Sequence, residues 1–418
     1  MSKLTTDKNV LAVAGVRWGV AYAGIKTLQI SDDLSSEPVY DLALMELAAG
    51  SKVAAVFTQN AFSAAPVKIA RQRLSAIKTM SAQEKIYCLI NSGNANAGTG
   101  QPGHIAAEES CQSIADALAC DANRVLPFST GVIGQLLPAE RIADVAPTVV
   151  EALLDNGWAQ AARAIMTTDT VAKAFSRTLN IDGQLITLSG IAKGAGMIRP
   201  NMATMLAYVA CDATIGQADL DTLLAAAVSC SFNRITVDGD TSTNDACIFA
   251  ATGQSSICLS PEHKGWPLFQ SAVNDLLIDL ATSIIRDAEG ASKFITIDIE
   301  GGQNTAECLQ LAYTVAESPL VKTAFFASDA NWGRILAAVG RSGLNNLDVD
   351  TVEIYLDDLL ICENGGVASS YDEGTAMKIM SQDEIKVRIK LNRGNSSERV
   401  WTSDLSLDYV RINADYRS

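Results

Sequence analysis

The chain has 418 residues, 47 acidic against 32 basic side chains, and a formal net charge of −15. An acidic surface without any Lys/Arg cluster makes nucleic acid and anionic membranes poor partners. With 48% hydrophobic and 19% charged residues, the chain can bury the core of one large layered body or of several domains. In chain order, apolar runs bounded by turn residues predict strands at residues 53–58, 86–91, 124–129, 185–188 and 205–211. Apolar spacing of three and four predicts helices at 105–120 and 139–154. The second half offers helices at 220–231, 268–287 and 305–316, and strands at 294–299, 352–356, 384–391 and 406–412. Mixed order with returning strands and no repeat predicts an α/β protein built as an α+β layered sandwich. No apolar run is read as reaching transmembrane length, and the first residues lack the apolar core of a signal peptide. Nine scattered cysteines read as small buried hydrophobes of a reducing compartment, so the expected location is the cytoplasm.

Histidine is scarce, and that narrows the chemistry. His104 follows Gln-Pro-Gly near a predicted helix start, with Glu108 one turn on and no third ligand nearby. His263 sits in Ser-Pro-Glu-His-Lys-Gly, which reads as a solvated turn. There is no Cys-x-x-Cys pair. Neither a Ser-His-Asp hydrolase nor a zinc enzyme fits, and no metal is expected. A nucleophile in this chain needs a base other than imidazole.

The segment from Gly190 to Asp212 offers one. Gly194, Gly196 and Pro200 permit unusual backbone angles just upstream of Ala203 and Thr204, and a short apolar run follows. Two readings stand: a plain loop feeding a buried strand, or a chain that cuts itself before Thr204. In the second, the freed α-amine, with an unperturbed pKa of about 8, becomes the base for the Thr204 hydroxyl. Four polar clusters accompany this segment. Asn91-Ser-Gly-Asn-Ala-Asn-Ala-Gly-Thr-Gly100 is a turn-rich loop or, less well, a phosphate loop without its Gly-Lys ending. Ser129-Thr-Gly-Val-Ile-Gly134 is a turn, or a Thr130–Gly131 pair aiming a hydroxyl and an N–H at one point, as an oxyanion hole requires. Met166-Thr-Thr-Asp-Thr170 either binds a polar substrate or caps a helix. Asp238-Gly-Asp-Thr-Ser-Thr-Asn-Asp245 is dense in oxygen but lacks the spacing and final glutamate of an EF-hand.

Together these stretches resemble one family, the glutamate N-acetyltransferases, or ornithine acetyltransferases, of the cyclic arginine-biosynthesis route. The resemblance is carried by Lys193-Gly-Ala-Gly-Met-Ile-Arg-Pro-Asn-Met-Ala-Thr-Met-Leu206 and the four clusters above. It is carried as well by Val56-Phe-Thr, Ala64-Ala-Pro-Val67, Ala288-Glu-Gly-Ala-Ser-Lys-Phe294, Ala330-Asn-Trp-Gly-Arg-Ile335 and Ile412-Asn-Ala-Asp-Tyr-Arg-Ser418. They occur in family order over nearly the whole chain. Arg199 stands where the family varies, and Ser418 stands where threonine is usual, with the hydroxyl and terminal carboxylate kept.

The resemblance implies a self-cleaving, N-terminal-nucleophile-like acetyltransferase fold made as one precursor. It implies an N-terminal fragment of residues 1–203 with the oxyanion hole, and a fragment of residues 204–418 that begins with the nucleophile. Thr204 accepts acetyl from N-acetylornithine and passes it to glutamate by a ping-pong route. The oxyanion pair falls on Thr130 and Gly131. Substrate contacts fall on one of Thr167 and Thr168, and on Lys193, Thr204, Glu289, Asn413 and Ser418. An α-carboxylate suits Lys193, and ornithine's ammonium suits Glu289 or the C-terminal carboxylate. No cofactor is implied; acetyl-CoA as a second acetyl donor stays open, and a dimer of cut chains (α2β2) is suggested. Two other readings remain at this point: an N-terminal-nucleophile amidase or aminopeptidase that uses water as second acceptor, and a ligand-binding scaffold whose chain stays whole.

Overall fold

The computed structural model describes residues 10–26, 39–79, 84–199 and 205–414. Two sheets lie face to face at its centre. The first has four strands in the order Val16–Ala21, Leu42–Leu47, Ile86–Asn94, Val125–Val132. The second has five, in the order Lys52–Phe57, Ala246–Ala251, Leu206–Cys211, Gln184–Lys193, Lys173–Ile181. Trp18, Met45, Phe128, Trp158, Tyr208 and Ile248 fill the space between them. Tyr208 meets Trp18 and Phe128 edge-on, at ring separations of 5.7 and 5.5 Å, and each such pair adds about 0.5–1.5 kcal/mol beyond burial.

Helices close both outer faces. Gly100–Leu118 and Ala139–Glu151 pack on the four-stranded sheet through Cys111, Ile114, Ile142 and Val149. Gln217–Cys230 and Trp266–Arg286 pack on the five-stranded sheet through Leu224, Phe269, Leu276 and Leu280. Strands inside this helix–sheet–sheet–helix stack are buried on both faces. In Leu206–Cys211, Leu206, Tyr208 and Ala210 enter the central core while Ala207, Val209 and Cys211 enter the outer one. Because successive side chains alternate faces, only a continuous apolar run satisfies both cores, at about 1.5–3 kcal/mol for each large side chain buried.

A seven-stranded sheet forms the rest. It runs Ile235–Thr236, Ser396–Ser403, Phe294–Gly302, Glu384–Lys390, Glu353–Leu356, Leu359–Glu363, Gly366–Val367. Thr305–Ala316, Pro319–Phe326 and Trp332–Gly340 cover it through Leu311, Phe325 and Ile335. The layered α/β architecture is the one expected, and the anticipated elements are present with two corrections.

Residues 406–412, expected as a strand, instead lead into and form most of the helix Leu407–Ala414. Ser406 Oγ accepts the Tyr409 N–H at 3.2 Å, an N-terminal cap that starts a helix. None of its side chains is buried, so the β-branched residues there never meet a sheet. The expectation of no apolar run of membrane-spanning length also fails, because Trp266–Arg286 is long and apolar enough. Its buried side chains form the core against the five-stranded sheet, which accounts for its composition. His263 is less solvated than its turn suggested: its Nδ1 accepts the Gly265 N–H at 3.0 Å and its Nε2 lies 3.4 Å from Asp182.

One ion cluster ties strand, loop and helix end together. Lys173, at the start of an edge strand, has no exposure at its side chain, and its Nζ lies 2.6 Å from both Asp169 Oδ1 and Asp287 Oδ2. Asp287 follows the last turn of Trp266–Arg286 and also accepts the Thr170 N–H at 3.0 Å and the Thr170 hydroxyl. Burial pushes the Lys173 ammonium down, but the two carboxylates outweigh it and leave it above its ordinary value. Burial likewise pushes Asp169 up, but Lys173, Lys193 and the Gly194 N–H hold it well below the usual carboxylate range.

Lys173→Met removes the cation shared by two buried carboxylates, and is expected to cost about 3–5 kcal/mol, read from urea unfolding. Because the folded Asp169 carboxyl lies below its unfolded value of about 4, its stabilising share is present at neutral pH. That share is lost as pH falls from about 4 through the folded pKa. The wild-type acid limb should therefore be steeper than that of an Asp169→Asn protein, and equal slopes would remove Asp169 from the account.

Candidate active site

The strand Val125–Val132 runs parallel to Ile86–Asn94, with Ser92 opposite Thr130 and Gly93 opposite Gly131. At Gly131 the chain takes φ +132°, and a Cβ there would lie 2.3 Å from the Gly93 carbonyl carbon. Only glycine lets the two strand ends come this close. The Asn91–Gly100 cluster turns its amides inward to hold this junction. Asn91 Oδ1 accepts the Ser129 hydroxyl at 2.6 Å, and Asn91 Nδ2 donates to the Asn94 carbonyl at 2.8 Å. Asn244, from the acidic cluster, donates to both the Ala95 and Ser129 carbonyls, at 2.6 and 2.9 Å.

Beyond this junction opens a cavity of about 270 Å³. Thr130, Gly131, Thr167, Thr168, Lys193, Glu289 and Asn413 all line it. These residues come from far apart in the chain, and the sequence had named each of them. Ala203, Thr204 and Ser418 lie outside the described residues. The strand register nevertheless puts Lys193 directly opposite Leu206, the second residue after Thr204 in the chain.

Lys193 ends the strand Gln184–Lys193 and is only 3% exposed. Its Nζ donates to Thr167 Oγ1 at 2.7 Å and to Thr130 Oγ1 at 3.2 Å, with Asp169 Oδ2 at 3.9 Å. Burial lowers its pKa, Asp169 opposes that, and Lys173 adds to it. An ammonium has no lone pair, so Thr130 and Thr167 must be the acceptors and their own O–H protons are free to point elsewhere.

Glu289 lines the same cavity. Its N–H donates to the Ala195 carbonyl at 2.9 Å, and its Oε2 accepts Asn413 Nδ2 at 2.9 Å. A Cβ at Gly196 would fall 2.4 Å from that carboxylate, so the glycine lets the two chains touch. The cavity thus carries a buried cation and hydroxyls together with a carboxylate and an amide. That pairing suits a small zwitterionic amino acid derivative with a carbonyl placed beside Thr130 and Gly131.

Sequence reasoning missed several contributors. Ser242 and Asn244 line the cavity, although the acidic cluster had been singled out without a role. Asp169 was visible only as a member of the Thr167–Thr170 motif. Yet it accepts the N–H groups of Thr167 at 3.1 Å and Gly194 at 2.7 Å and so holds two walls of the site. Ala330-Asn-Trp-Gly-Arg-Ile335 does not line the cavity; Asn331 caps the helix Trp332–Gly340 by accepting the Arg334 N–H at 3.1 Å. Among the described residues no group of His, Cys, Asp and Glu side chains is arranged to hold a metal ion.

The ArgJ family model matches residues 20–418. The arginine biosynthesis bifunctional protein ArgJ of Methylococcus capsulatus is 51% identical over 414 residues, covering 99% of this chain and 98% of that protein. The protein of the same name from Pseudomonas fluorescens is 48% identical over 409 residues, covering 97% of each. The crystal structure of the Bacillus halodurans protein of that name is 39% identical, with a TM-score of 0.47, over 49% of this chain and 96% of the solved one. A family match over nearly all of the sequence, with relatives this similar along their whole length, leaves one assignment: the chain belongs to the ArgJ family.

Proposed function

We propose that this protein is an ornithine/glutamate N-acetyltransferase of arginine biosynthesis, working through an acetyl ester on Thr204. The chain first cuts itself. Thr204 Oγ bonds to the Ala203 carbonyl carbon, the carbon–nitrogen bond breaks, and the hydroxyl proton ends on the freed amine. Water then opens the ester, leaving a carboxylate on Ala203 and restoring the Thr204 hydroxyl. In turnover, the new α-amine takes the Thr204 proton as Oγ attacks the acetyl carbonyl of N-acetylornithine. Ornithine leaves with that proton. Glutamate's amine then attacks the acetyl ester, and N-acetylglutamate departs.

The observation that carries this reading is the direction of the Lys193–Thr130 hydrogen bond. Because Lys193 donates to Thr130 Oγ1, the threonine O–H is left to donate, next to the Gly131 N–H, to an oxyanion. Lys193 also supplies positive charge for the α-carboxylate that both substrates share. Glu289, held by Asn413, faces the ammonium of ornithine, with Thr167 or Thr168 and the terminal Ser418 completing the contacts. The name of the relatives, bifunctional ArgJ, fits a second activity, and the one proposed is acetylation of glutamate from acetyl-CoA with no bound cofactor. Glutamate acetylation with acetyl-CoA as sole donor tests it. Free acetate released in the absence of glutamate would point to the amidase alternative instead. The cut chains pair as an α2β2 dimer, checked by mass in solution, in the cytoplasm, whose reducing conditions suit nine free thiols.

The purified protein should run as two co-purifying fragments, residues 1–203 and 204–418. Thr204→Ala should stay whole and inactive, and Thr204→Ser should still cut. After incubation with N-acetylornithine alone, mass spectrometry should find one acetyl group on the fragment that begins at Thr204. An active protein with an intact Ala203–Thr204 bond would sink the mechanism.

Thr130→Ala should leave the fold intact and slow acetyl transfer about a hundred- to a thousand-fold; an unchanged turnover number in cut protein removes the side chain from the oxyanion hole. Lys193→Ala should raise KM for both N-acetylornithine and glutamate by about ten- to a hundred-fold, the worth of one charge-assisted hydrogen bond. Wild-type KM for both substrates would make Lys193 a structural residue.

A further inference from the structure

The cluster Asp238-Gly-Asp-Thr-Ser-Thr-Asn-Asp245 has acids at its two ends that grip the chain on opposite sides of residues 199–204. Upstream, Asp238 accepts the Met197 N–H through Oδ2 at 2.7 Å and the Ile198 N–H through Oδ1 at 3.0 Å. The Val237 N–H donates back to the Ile198 carbonyl at 2.9 Å, and Thr236 Oγ1 donates to the same oxygen at 3.1 Å. Downstream, Asp245 Oδ1 accepts the Met205 N–H at 3.0 Å, and the Ala246 N–H donates to the Met205 carbonyl at 3.2 Å. Ile198 and Met205 are thus each fixed at both N–H and C=O by residues 236–246. Arg199 is tied separately, its Nε donating to Glu317 Oε1 at 2.9 Å.

We propose that this loop is the brace for self-processing, with Asp238 and Asp245 as positioning residues that hold the two stems of the scissile segment. The proposal rests on the self-cleavage described under Proposed function. Attack of a hydroxyl on the carbonyl of the preceding residue demands a bent geometry that a loose loop seldom visits. Anchoring both stems in advance removes much of that entropic cost.

The two acids differ in what they require. Asp238 uses both oxygens on backbone N–H groups, and also receives the Asp240 N–H on Oδ1 and the Tyr409 hydroxyl on Oδ2, each at 3.2 Å. Asparagine has a single acceptor oxygen and would turn an NH2 group towards a backbone donor. Asp245 is 1% exposed and engages the stem through Oδ1 alone; its Oδ2 makes no hydrogen bond among the described residues. Burial pushes the Asp245 carboxyl well above the usual range, with the Met205 N–H and the nearby Ser242 hydroxyl pulling the other way. Asparagine has the same shape and retains the Oδ1 acceptor that holds the Met205 N–H.

The test follows cleavage of the full-length chain after cell-free synthesis, in wild type, Asp245→Asn, Asp245→Ala and Asp238→Asn. Asp245→Asn should cut at a near wild-type rate. Asp245→Ala and Asp238→Asn should be slower by about tenfold or more, the scale of one lost hydrogen bond to a buried group. In an uncut Thr204→Ala background, Asp245→Ala should also raise hydrogen exchange at the Met205 amide while Leu206–Cys211 stays protected. That second measurement separates a loosened stem from a misfolded chain. If Asp245→Asn is as slow as Asp245→Ala, the carboxyl is moving a proton rather than holding a stem, and the proposal falls. It falls equally if Asp245→Ala and Asp238→Asn cut at the wild-type rate, or if Met205 exchange does not change. A wild-type chain that stays whole overturns the self-processing reading instead, and the Met205 measurement still decides whether the stem is held.

Discussion

A lysine ammonium with no side-chain exposure, pinned between Asp169 and Asp287, is the interaction from which the site is built. Three charges out of water are tolerable only if none of them drifts, since any separation leaves a desolvated ion unpaired. The cluster therefore fixes more than its own members. Asp169 carries the N–H groups of Thr167 and Gly194 with it and lies beside Lys193. Asp287 carries Thr170 and sits two residues before Glu289. The cationic and anionic groups of the cavity are thus referred to one buried point, and Lys193 keeps its place because its neighbours cannot lose theirs.

Around that point the chain crosses itself. The five-stranded sheet draws on both sides of the proposed cut: Gln184–Lys193 and Lys173–Ile181 precede it, and Leu206–Cys211 and Ala246–Ala251 follow it. Lys52–Phe57, from before the cut, then closes the far edge against Ala246–Ala251. Leu206–Cys211 is hydrogen-bonded on both sides, antiparallel to Gln184–Lys193 and parallel to Ala246–Ala251. A break just upstream of it leaves the ladder whole.

Much of this was legible in the sequence where one physical signal dominated. Residues 305–316 carry an Asn304 cap and helical spacing, and the helix Thr305–Ala316 begins and ends there. Val53 to Phe57 and Leu206 to Cys211 are continuous apolar runs, and both are strands, the second buried along its whole length and the first, at the sheet edge, buried at Val53 and Ala54. Leu42–Leu47, Leu-Ala-Leu-Met-Glu-Leu, defeats the same reasoning because its residues favour helix. It is a strand because Ala43, Met45 and Leu47 fill one core while Leu42 and Leu44 fill the other, a demand set by distant neighbours. Leu407–Ala414 fails the opposite way, since its helix depends on a cap from Ser406 and on Asn413 reaching Glu289 rather than on any apolar face. Seven cavity residues could be named because motifs bring chemistry with them. The support from Asp169, Lys173 and Asn244 could not, because an ion pair or amide bridge between remote segments leaves no local pattern.

The mixed origin of the strands in the five-stranded sheet bears on the history of each molecule. While the chain is continuous, Gln184–Lys193 and Leu206–Cys211 find each other across a short tether, and the entropy of closing so small a loop is modest. Once the proposed cut removes the tether, the same pairing becomes an encounter between two separate polypeptides at whatever dilution prevails. The folded body is then reached from one direction only. A molecule that has matured and later opens fully has lost the route by which it was assembled, so its persistence is governed by the height of its unfolding barrier rather than by its equilibrium stability.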